Sequence, residues 1–353
     1  MPFARFMEMA LYEPGLGYYV NGLHKFGAAG DFVTAPEEGE LFGRAVARAL
    51  DPVVRSLADW TLLEAGPGSG RLARDVLMAL AHPPARCLLL EPSAPLREMQ
   101  AETLAELPGD LAGRVEWIDA PPDESFDGVI VANEVADALP VDRFRIGADG
   151  IEQACVTVEH GRFAWRWSPA GDDVRAAVAR VLEELPEPLE TGYVSEVCTM
   201  LPAWLQAVTA PLARGVALFV DYGYPRREYY HPARRAGTLV CHYRHRAHFD
   251  PFVWPGLTDI SAFVDFTALC GAGRSAGLEL LGFTNQAAFV LESGVADALE
   301  AVDDDARRMA LTGEFKRLVM PGEMGERFKV LGMARDFDGP LPGAGLSDQT
   351  GRL

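Results

Sequence analysis

The chain has 353 residues, of which 49% are hydrophobic and 24% are charged, and its formal net charge is −19. This composition is typical of a globular protein with a sizeable core and argues against intrinsic disorder. The negative charge argues against a nucleic-acid or anionic-membrane partner, since phosphate binding requires clustered lysine and arginine. A cationic substrate suits this charge, although solubility alone also explains it.

The cysteines and the N-terminus indicate an intracellular protein. Five cysteines are widely spaced without a C-x-x-C pair, which favours a reducing compartment over a disulfide framework. No basic stretch precedes an apolar segment at the N-terminus, and no apolar run is long enough to span a membrane. We therefore expect a cytoplasmic protein without membrane insertion, of unknown oligomeric state.

Residues 1–58 are predicted to form N-terminal helices and a lid. Apolar side chains recur at helical spacing over residues 3–11, and a Pro-Gly segment ends that helix. The glycine-rich loop Gly30–Pro36 then leads into an amphipathic segment over about 38–57. We expect this loop to fold over the core.

Residues 59–338 are predicted to form one α/β domain with a mostly parallel central sheet. An alternation of short apolar runs with helical stretches indicates such a sheet. The predicted core strands are 61–65, 87–90, 114–118, 126–132 and 216–220. The run at 126–132 is almost continuously apolar, which favours a central strand covered on both faces.

An insertion over about 141–213 is predicted between the fourth and fifth core strands. Alternating apolar residues around glycine turns indicate an antiparallel meander, followed by a helix over Asp172–Leu185. The region 222–258 is irregular and rich in Tyr, Arg and His, so it is a candidate substrate loop. The Gly/Pro-rich tail 339–353 is expected to be loose.

The strongest motif is a strand that runs through Glu64 into a glycine turn and then a helix. Its glycines, Gly66, Gly68 and Gly70, follow a G-x-G-x-G spacing around Pro67, and Arg71 stands where a dinucleotide fold has its third glycine. Glu64 would repel a pyrophosphate, yet it suits the ammonium group of a methionine moiety. The motif therefore favours S-adenosylmethionine over a dinucleotide, with a purely structural turn as the alternative.

Acidic residues at the ends of the next two strands are candidate cofactor ligands. Glu91 follows the second strand, where a carboxylate can accept hydrogen bonds from both ribose hydroxyls. Asp119 ends the third strand and could accept from an adenine amino group. The alternatives are a helix-capping acid at Glu91 and an ordinary turn residue at Asp119.

Asn133 and Glu134 end the fourth strand, at the edge of the sheet where ligands of open α/β folds bind. Asn133 is a candidate for both cofactor binding and catalysis. Glu134 is the first candidate for catalysis, because a carboxylate can orient a guanidinium through paired, charge-assisted hydrogen bonds. The alternative for Glu134 is a cap of the following helix.

Candidates on the substrate side are Asp221 and Tyr222, at the end of the fifth strand, and His245. A structural turn is an equal interpretation for the first two. Zinc is disfavoured, and no metal is predicted, because the thiol and imidazole cluster lacks a second cysteine pair. That cluster comprises Cys241, His242, His245 and His248.

Taken together, these motifs resemble the MidA-like family of class I methyltransferases, the complex I assembly methyltransferases of bacteria and mitochondria. The resemblance extends over almost the whole chain. Its segments are Leu11–Tyr19, Gly30–Pro36, Leu90–Ser93, Asn133–Glu134, Asp137–Pro140, Asp221–Gly223, Gly237–Leu239, Asp259–Ser261, Gly282–Gln286 and Met324–Leu331.

The resemblance implies a Rossmann-like class I methyltransferase fold that binds S-adenosylmethionine and releases S-adenosylhomocysteine. It also implies a lid loop, in which Asp31 is a candidate catalytic residue and Thr34 a candidate cofactor ligand. Arginine methylation of a protein, a subunit of respiratory complex I, is the activity implied by the mitochondrial relatives. Val135 and Ala136 replace bulkier apolar residues of the family, which leaves the acceptor open.

Three functional hypotheses follow from these residues. The first is an enzyme that N-methylates a protein side chain, with Glu134 positioning the acceptor. The second is an assembly factor that binds the cofactor with little or no catalysis. The third, a dinucleotide-dependent oxidoreductase, is disfavoured by Arg71.

Overall fold

The computed structural model describes residues 1–22, 25, 33–300 and 302–353, and strands dominate its centre. The strands are β1 (Thr61–Ala65), β2 (Arg86–Leu90), β3 (Val115–Ile118), β4 (Phe126–Asn133), β5 (Asp142–Ile146), β6 (Ile151–Glu159), β7 (Arg162–Pro169), β8 (Val194–Val197), β9 (Leu212–Tyr224), β10 (Val240–Tyr243), β11 (Arg246–His248), β12 (Asp259–Ser261), β13 (Val264–Asp265), β14 (Glu279–Asn285) and β15 (Phe328–Arg335).

The main sheet has eight strands within those ranges, in the order β14-β15-β9-β4-β1-β2-β3, with β13 beside β9. Strands β1 to β4 and β9 pair in parallel, whereas β15 runs antiparallel between β9 and β14. All five predicted core strands are present. The prediction of a mostly parallel sheet is confirmed, and β9 starts four residues earlier than predicted.

Helices cover both faces of this sheet, which is why its strands read as continuous apolar runs. The helices are α1 (Phe3–Tyr12), α2 (Ala35–Glu38), α3 (Leu41–Val54), α4 (Arg71–Ala79), α5 (Ala94–Leu104), α6 (Gly109–Ala112), α7 (Asp172–Glu184), α8 (Leu201–Thr209), α9 (Arg226–Tyr229), α10 (Phe266–Ser275), α11 (Gln286–Glu292), α12 (Asp297–Glu300), α13 (Asp305–Val319) and α14 (Ala344–Ser347). One core contains residues of α3, α4, α11 and α13, and the other contains residues of α8 and α10. In the described ranges no helix has the length and apolar character that a membrane span requires.

Two smaller antiparallel sheets flank the main one. The predicted meander is confirmed as the sheet β7-β6-β5-β8, and a third sheet has the order β11-β10-β12. Helix α1 packs against the meander, where the rings of Phe3 and Trp165 lie 4.9 Å apart. Phe252 packs on the same tryptophan at 4.8 Å. The aromatic residues of β7 therefore contribute to packing.

The C-terminal tail is not loose, contrary to expectation. It forms α14 and a final 3₁₀ turn. Thr284 Oγ1 donates to the carbonyl oxygens of Gly343 and Ser347 at 3.3 and 2.8 Å, and Leu341 is buried. Tertiary packing against β14 thus orders a segment whose glycine and proline content predicts disorder. The domain boundaries at residues 58, 338 and about 141–213 stay predictions.

The topology locates the binding crevice. Strand order reverses between β1 and β4, since β2 and β3 lie on one side and β9 on the other. In open α/β sheets ligands bind outside the carboxyl ends of the strands at such a switch point. The residues that follow β1 and β4 are the glycine turn and Glu134.

Candidate active site

A cavity of about 1230 Å³ opens at this end of the sheet. Asp31 lies outside the described residues, as does the part of the lid loop before Val33. Gly70, Asp221 and His245 do not line the cavity. The predicted site residues that do are Thr34, Glu64, Gly66, Pro67, Gly68, Glu91, Asp119, Asn133, Glu134 and Tyr222.

The glycine turn needs its glycines for backbone conformation. Gly66, Gly68 and Gly70 have φ angles of 64°, 55° and 82°, the left-handed region that L side chains rarely adopt. A Cβ atom on Gly66 would lie 2.9 Å from Val135 Cγ2. Gly70 serves as the N-cap of α4. Gly66 and Gly68 line the cavity, so a ligand bound there would lie against the turn.

Glu64 points from β1 toward the start of α4, where its carboxylate accepts a hydrogen bond from the N–H of Ala73. The side chain is 4% exposed, and burial raises its pKa to about 8. Glu64 also lines the cavity. An ammonium group in the cavity would favour its ionised form, as the sequence suggests for the methionine moiety.

Glu91 belongs to a network centred on a residue that sequence reasoning missed. Gln100, on α5, is fully buried and donates to Gly68 O at 2.9 Å and to Glu91 Oε2 at 3.4 Å. It accepts from Trp117 Nε1 at 2.9 Å. One glutamine thus joins the glycine turn to the end of β2. The amphipathic pattern predicts burial at this position, but not these partners.

Asp119 lies at the rim of the cavity and forms an ion pair with Arg97 of α5. Its side chain is 80% exposed, so this ion pair contributes little to stability. The position suits contact with the outer part of a ligand bound along β2 and β3. Its role in binding adenine stays a prediction.

Glu134 has a strained backbone and a half-buried side chain. Its φ is 53°, which is costly for a residue with a side chain, and its N–H donates to Val220 O at 2.8 Å. The carboxylate accepts from the N–H of Ala35 and from Asn133 Nδ2, the latter at 3.3 Å. Burial, followed by the Asp137 carboxylate, raises the pKa of Glu134 to about 8.

The described end of the predicted lid loop continues into α2, which contacts the glycine turn. Helix α2 follows Thr34, and Ser69 Oγ donates to the Glu37 carboxylate. Arg71 Nη1 donates to Glu37 O at 3.1 Å. Together with the Ala35 N–H on Glu134, these bonds connect the turn after β1 to the end of β4.

The substrate-side candidates have different positions. Tyr222 lines the cavity, whereas Asp221 is 1% exposed and accepts from the N–H groups of Ala136 and Asp137 at 3.0 and 3.2 Å. Asp221 therefore holds the loop that follows β4. His245 lies in the turn between β10 and β11 with a φ of 59°. His242, three residues earlier and within β10, lines the cavity.

The residues present fit S-adenosylmethionine. The glycine turn would accommodate the methionine part, and Glu91, which lines the cavity at the end of β2, would accept from the ribose hydroxyls. Asn133 Oδ1 is buried without a hydrogen-bond partner among the described residues, so it has capacity for a ligand donor. The described ranges contain no group of three or more His, Cys, Asp or Glu that could hold a metal ion.

Comparisons with known proteins agree with this site. Residues 41–284 match a family model, Methyltransf_28, described as "Putative S-adenosyl-L-methionine-dependent methyltransferase". A crystal structure of a "likely methyl transferase" from Burkholderia thailandensis, bound to S-adenosyl-homocysteine, is 42% identical with a TM-score of 0.93, covering 100% of this chain and 92% of that one. The mitochondrial protein arginine methyltransferase NDUFAF7 of Mus musculus is 29% identical over 92% of this chain and 79% of its own length. The human protein of that name is 27% identical over 92% and 78%.

Proposed function

Because the chain belongs to this family of S-adenosyl-L-methionine-dependent methyltransferases, we propose that it methylates a nitrogen of a protein side chain, with arginine as the acceptor. The proposal rests on the position of Glu134, whose carboxylate lines the cavity beside the glycine turn. A carboxylate binds a guanidinium through two parallel hydrogen bonds. The names of the NDUFAF7 relatives support arginine as the acceptor residue.

Bound S-adenosylmethionine supplies a methyl group on a sulfonium, and transfer to nitrogen releases one proton from that nitrogen. Glu134 would orient the guanidinium and accept this proton at a carboxylate oxygen. Its pKa of about 8 is close to neutral pH, which suits a group that both binds a cation and takes a proton. Asn133 Nδ2, 3.3 Å from Glu134 Oε1, would hold the carboxylate in place.

The lid segment would shelter the reaction. The Ala35 N–H bonds to Glu134, so closure of this segment and orientation of the catalytic carboxylate are linked. Exclusion of water strengthens the electrostatic contacts around the acceptor. Thr34, Glu64, Glu91, Asp119 and the glycine turn would hold the cofactor.

Transfer of a labelled methyl group from S-adenosylmethionine to arginine-containing peptides and to subunits of respiratory complex I tests the proposal. We expect transfer by the wild type, a loss of at least about 100-fold in Glu134→Gln, and S-adenosylhomocysteine binding within about twofold of wild type. The exposed Glu116, which pairs with Arg86 at 2.9 Å, provides the control variant Glu116→Gln. Cofactor binding without transfer to any acceptor would favour the assembly-factor alternative.

A further inference from the structure

Asp137 and Asp259 are buried carboxylates that also line the cavity. Asp137 follows β4 and is 7% exposed, and Asp259 begins β12 and is 3% exposed. The carbonyl oxygen of Asp137 accepts from Ala262 N at 3.1 Å, which holds the two segments together. Burial of carboxylates is costly unless each oxygen has a donor or a cation nearby.

The two carboxylates differ in their partners. Asp259 accepts from Tyr19 OH at 3.0 Å and from Ser261 Oγ at 2.9 Å, and His242 Nδ1 lies 3.9 Å from its Oδ2. The Asp137 carboxylate accepts from the N–H of Ala138 and from the Tyr222 hydroxyl, but its Oδ1 is buried and has no hydrogen-bond partner in the part of the chain that the structure describes. Native proteins leave few such atoms unsatisfied, and a binding site is one reason for an exception.

No arginine is among the groups that act most strongly on the Asp137 carboxylate. Burial, followed by repulsion from Asp259, raises the pKa of Asp137 to about 7, and the hydrogen bond from Tyr222 is the largest opposing influence. Three arginines line the cavity, Arg143, Arg234 and Arg327, and the first two have other partners. Arg143 lies 3.4 Å from Glu196 Oε1 and donates to Ala236 O at 2.8 Å. Arg234 donates to backbone carbonyl oxygens of α9.

Aromatic side chains surround the same compartment. Tyr12 and Tyr19 stack with their centroids 5.6 Å apart and their planes at 21°, and both line the cavity. The Tyr222 hydroxyl bonds to the Asp137 carboxylate and stabilises its charge. Planar cations bind favourably to aromatic rings, and guanidinium does so more readily than ammonium.

We propose that Asp137 is the subsite for the positively charged group of the acceptor and that its unpartnered Oδ1 selects a guanidinium. This inference rests on the proposed function and adds to it a residue that determines specificity. Five N–H donors in one plane let a guanidinium contact both Asp137 and Glu134, whereas an ammonium is a compact point charge. Asp259 is a positioning residue, because it holds Tyr19 and His242 next to the subsite.

The test compares two adenosine compounds that carry a guanidine or a primary amine on the same 5′ linker, with S-adenosylhomocysteine as the reference. Calorimetric titration measures binding without turnover. The variant is Asp137→Asn, and the matched control is Asp142→Asn. Asp142 is also a buried carboxylate, but it is outside the cavity lining and satisfied by Gln153 and Thr199 at 2.7 and 2.8 Å.

We expect the guanidine compound to bind wild-type protein at least tenfold more tightly than S-adenosylhomocysteine does, and to lose that advantage in Asp137→Asn alone. Binding of S-adenosylhomocysteine should stay within about twofold in both variants. Tyr222→Phe, which keeps the ring, should reduce the advantage less. The effect of Tyr222→Phe should diminish above pH 8, because Asp137 then ionises even without the Tyr222 hydroxyl. Structural damage would not produce this pH dependence.

Undiminished guanidine binding in Asp137→Asn, or an equal loss for S-adenosylhomocysteine, would overturn the subsite. If the amine compound binds more tightly than the guanidine compound and also depends on Asp137, Asp137 is still a cation subsite. That result would overturn the selection of guanidinium and the proposal that the acceptor is arginine. Binding of the guanidine through Asp137 by a protein that methylates no acceptor would support the subsite while the proposed function fails.

Discussion

Glu134 is expected to lower the stability of the cofactor-free protein, and a glutamine substitution should reveal by how much. Burial and the Asp137 carboxylate raise its pKa to about 8, against 4.5 for the ordinary group. Because the folded protein holds this proton more tightly than the unfolded chain does, its stability falls as the pH rises from 4.5 to about 8. At about 1.36 kcal/mol per pKa unit the loss approaches about 5 kcal/mol, an upper limit because the side chain reaches solvent through the cavity.

Glutamine at this position carries no charge, so Glu134→Gln removes the penalty. We expect melting temperatures of variant and wild type to be similar near pH 5, with the variant more stable by roughly 5–10 °C at pH 9. Differential scanning calorimetry without cofactor across this pH range measures the difference.

Glu116→Gln is the control for this experiment. The pKa of Glu116 is lowered, chiefly by its hydrogen bond with Arg86. Glu116→Gln should therefore lower the stability slightly at high pH, whereas Glu134→Gln should raise it. A difference between Glu134→Gln and wild type that stays constant from pH 5 to 9 would refute the reasoning. So would a variant that is the less stable protein at pH 9.

Three further substitutions test how the cofactor side is held. Gly66→Ala should weaken S-adenosylhomocysteine binding at least tenfold by calorimetry, because its φ is 64° and its Cβ would lie 2.9 Å from Val135 Cγ2. Gln100→Leu should lower the free energy of unfolding by about 2–3 kcal/mol and weaken the same binding, because it removes the bonds to Gly68 and Trp117. Glu314→Ala should speed S-adenosylhomocysteine dissociation in stopped-flow experiments. It removes the acceptor 2.5 Å from Leu41 N that holds the start of α3, next to α2.

Gly192→Ala is the matched control for Gly66→Ala, since its φ is 88° and its Cβ would meet no atom within 4 Å. It should lower stability without changing affinity. Equal affinity of Gly66→Ala and wild type would show that the turn does not contact the ligand closely. An unchanged dissociation rate of S-adenosylhomocysteine from Glu314→Ala would show that Glu314 does not contribute to cofactor binding. Binding of S-adenosylhomocysteine by Gln100→Leu as tight as by the wild type would show the same for Gln100.

The sequence by itself determined the fold class and the cofactor, and it predicted most of the residues that line the cavity beside the glycine turn. Strand, glycine turn and helix are contiguous between Thr61 and Ala79, so local spacing carries the information for the turn. Parallel strands end at the same edge of a sheet, which is why Glu64, Glu91 and Glu134 could be placed together before their contacts were known.

Only the tertiary structure decided which residues line the part of the cavity where we propose that the acceptor binds. Asp259 lies more than 120 residues beyond Asp137, and no periodicity indicates that a small third sheet brings them to one cavity. Asp221 and His245 are plausible from the sequence, yet Asp221 bonds backbone N–H groups and His245 sits in a turn outside the cavity lining. The orientation of a side chain at a strand end depends on what packs against it. Those neighbours come from distant segments, and their contacts leave no local pattern in the chain.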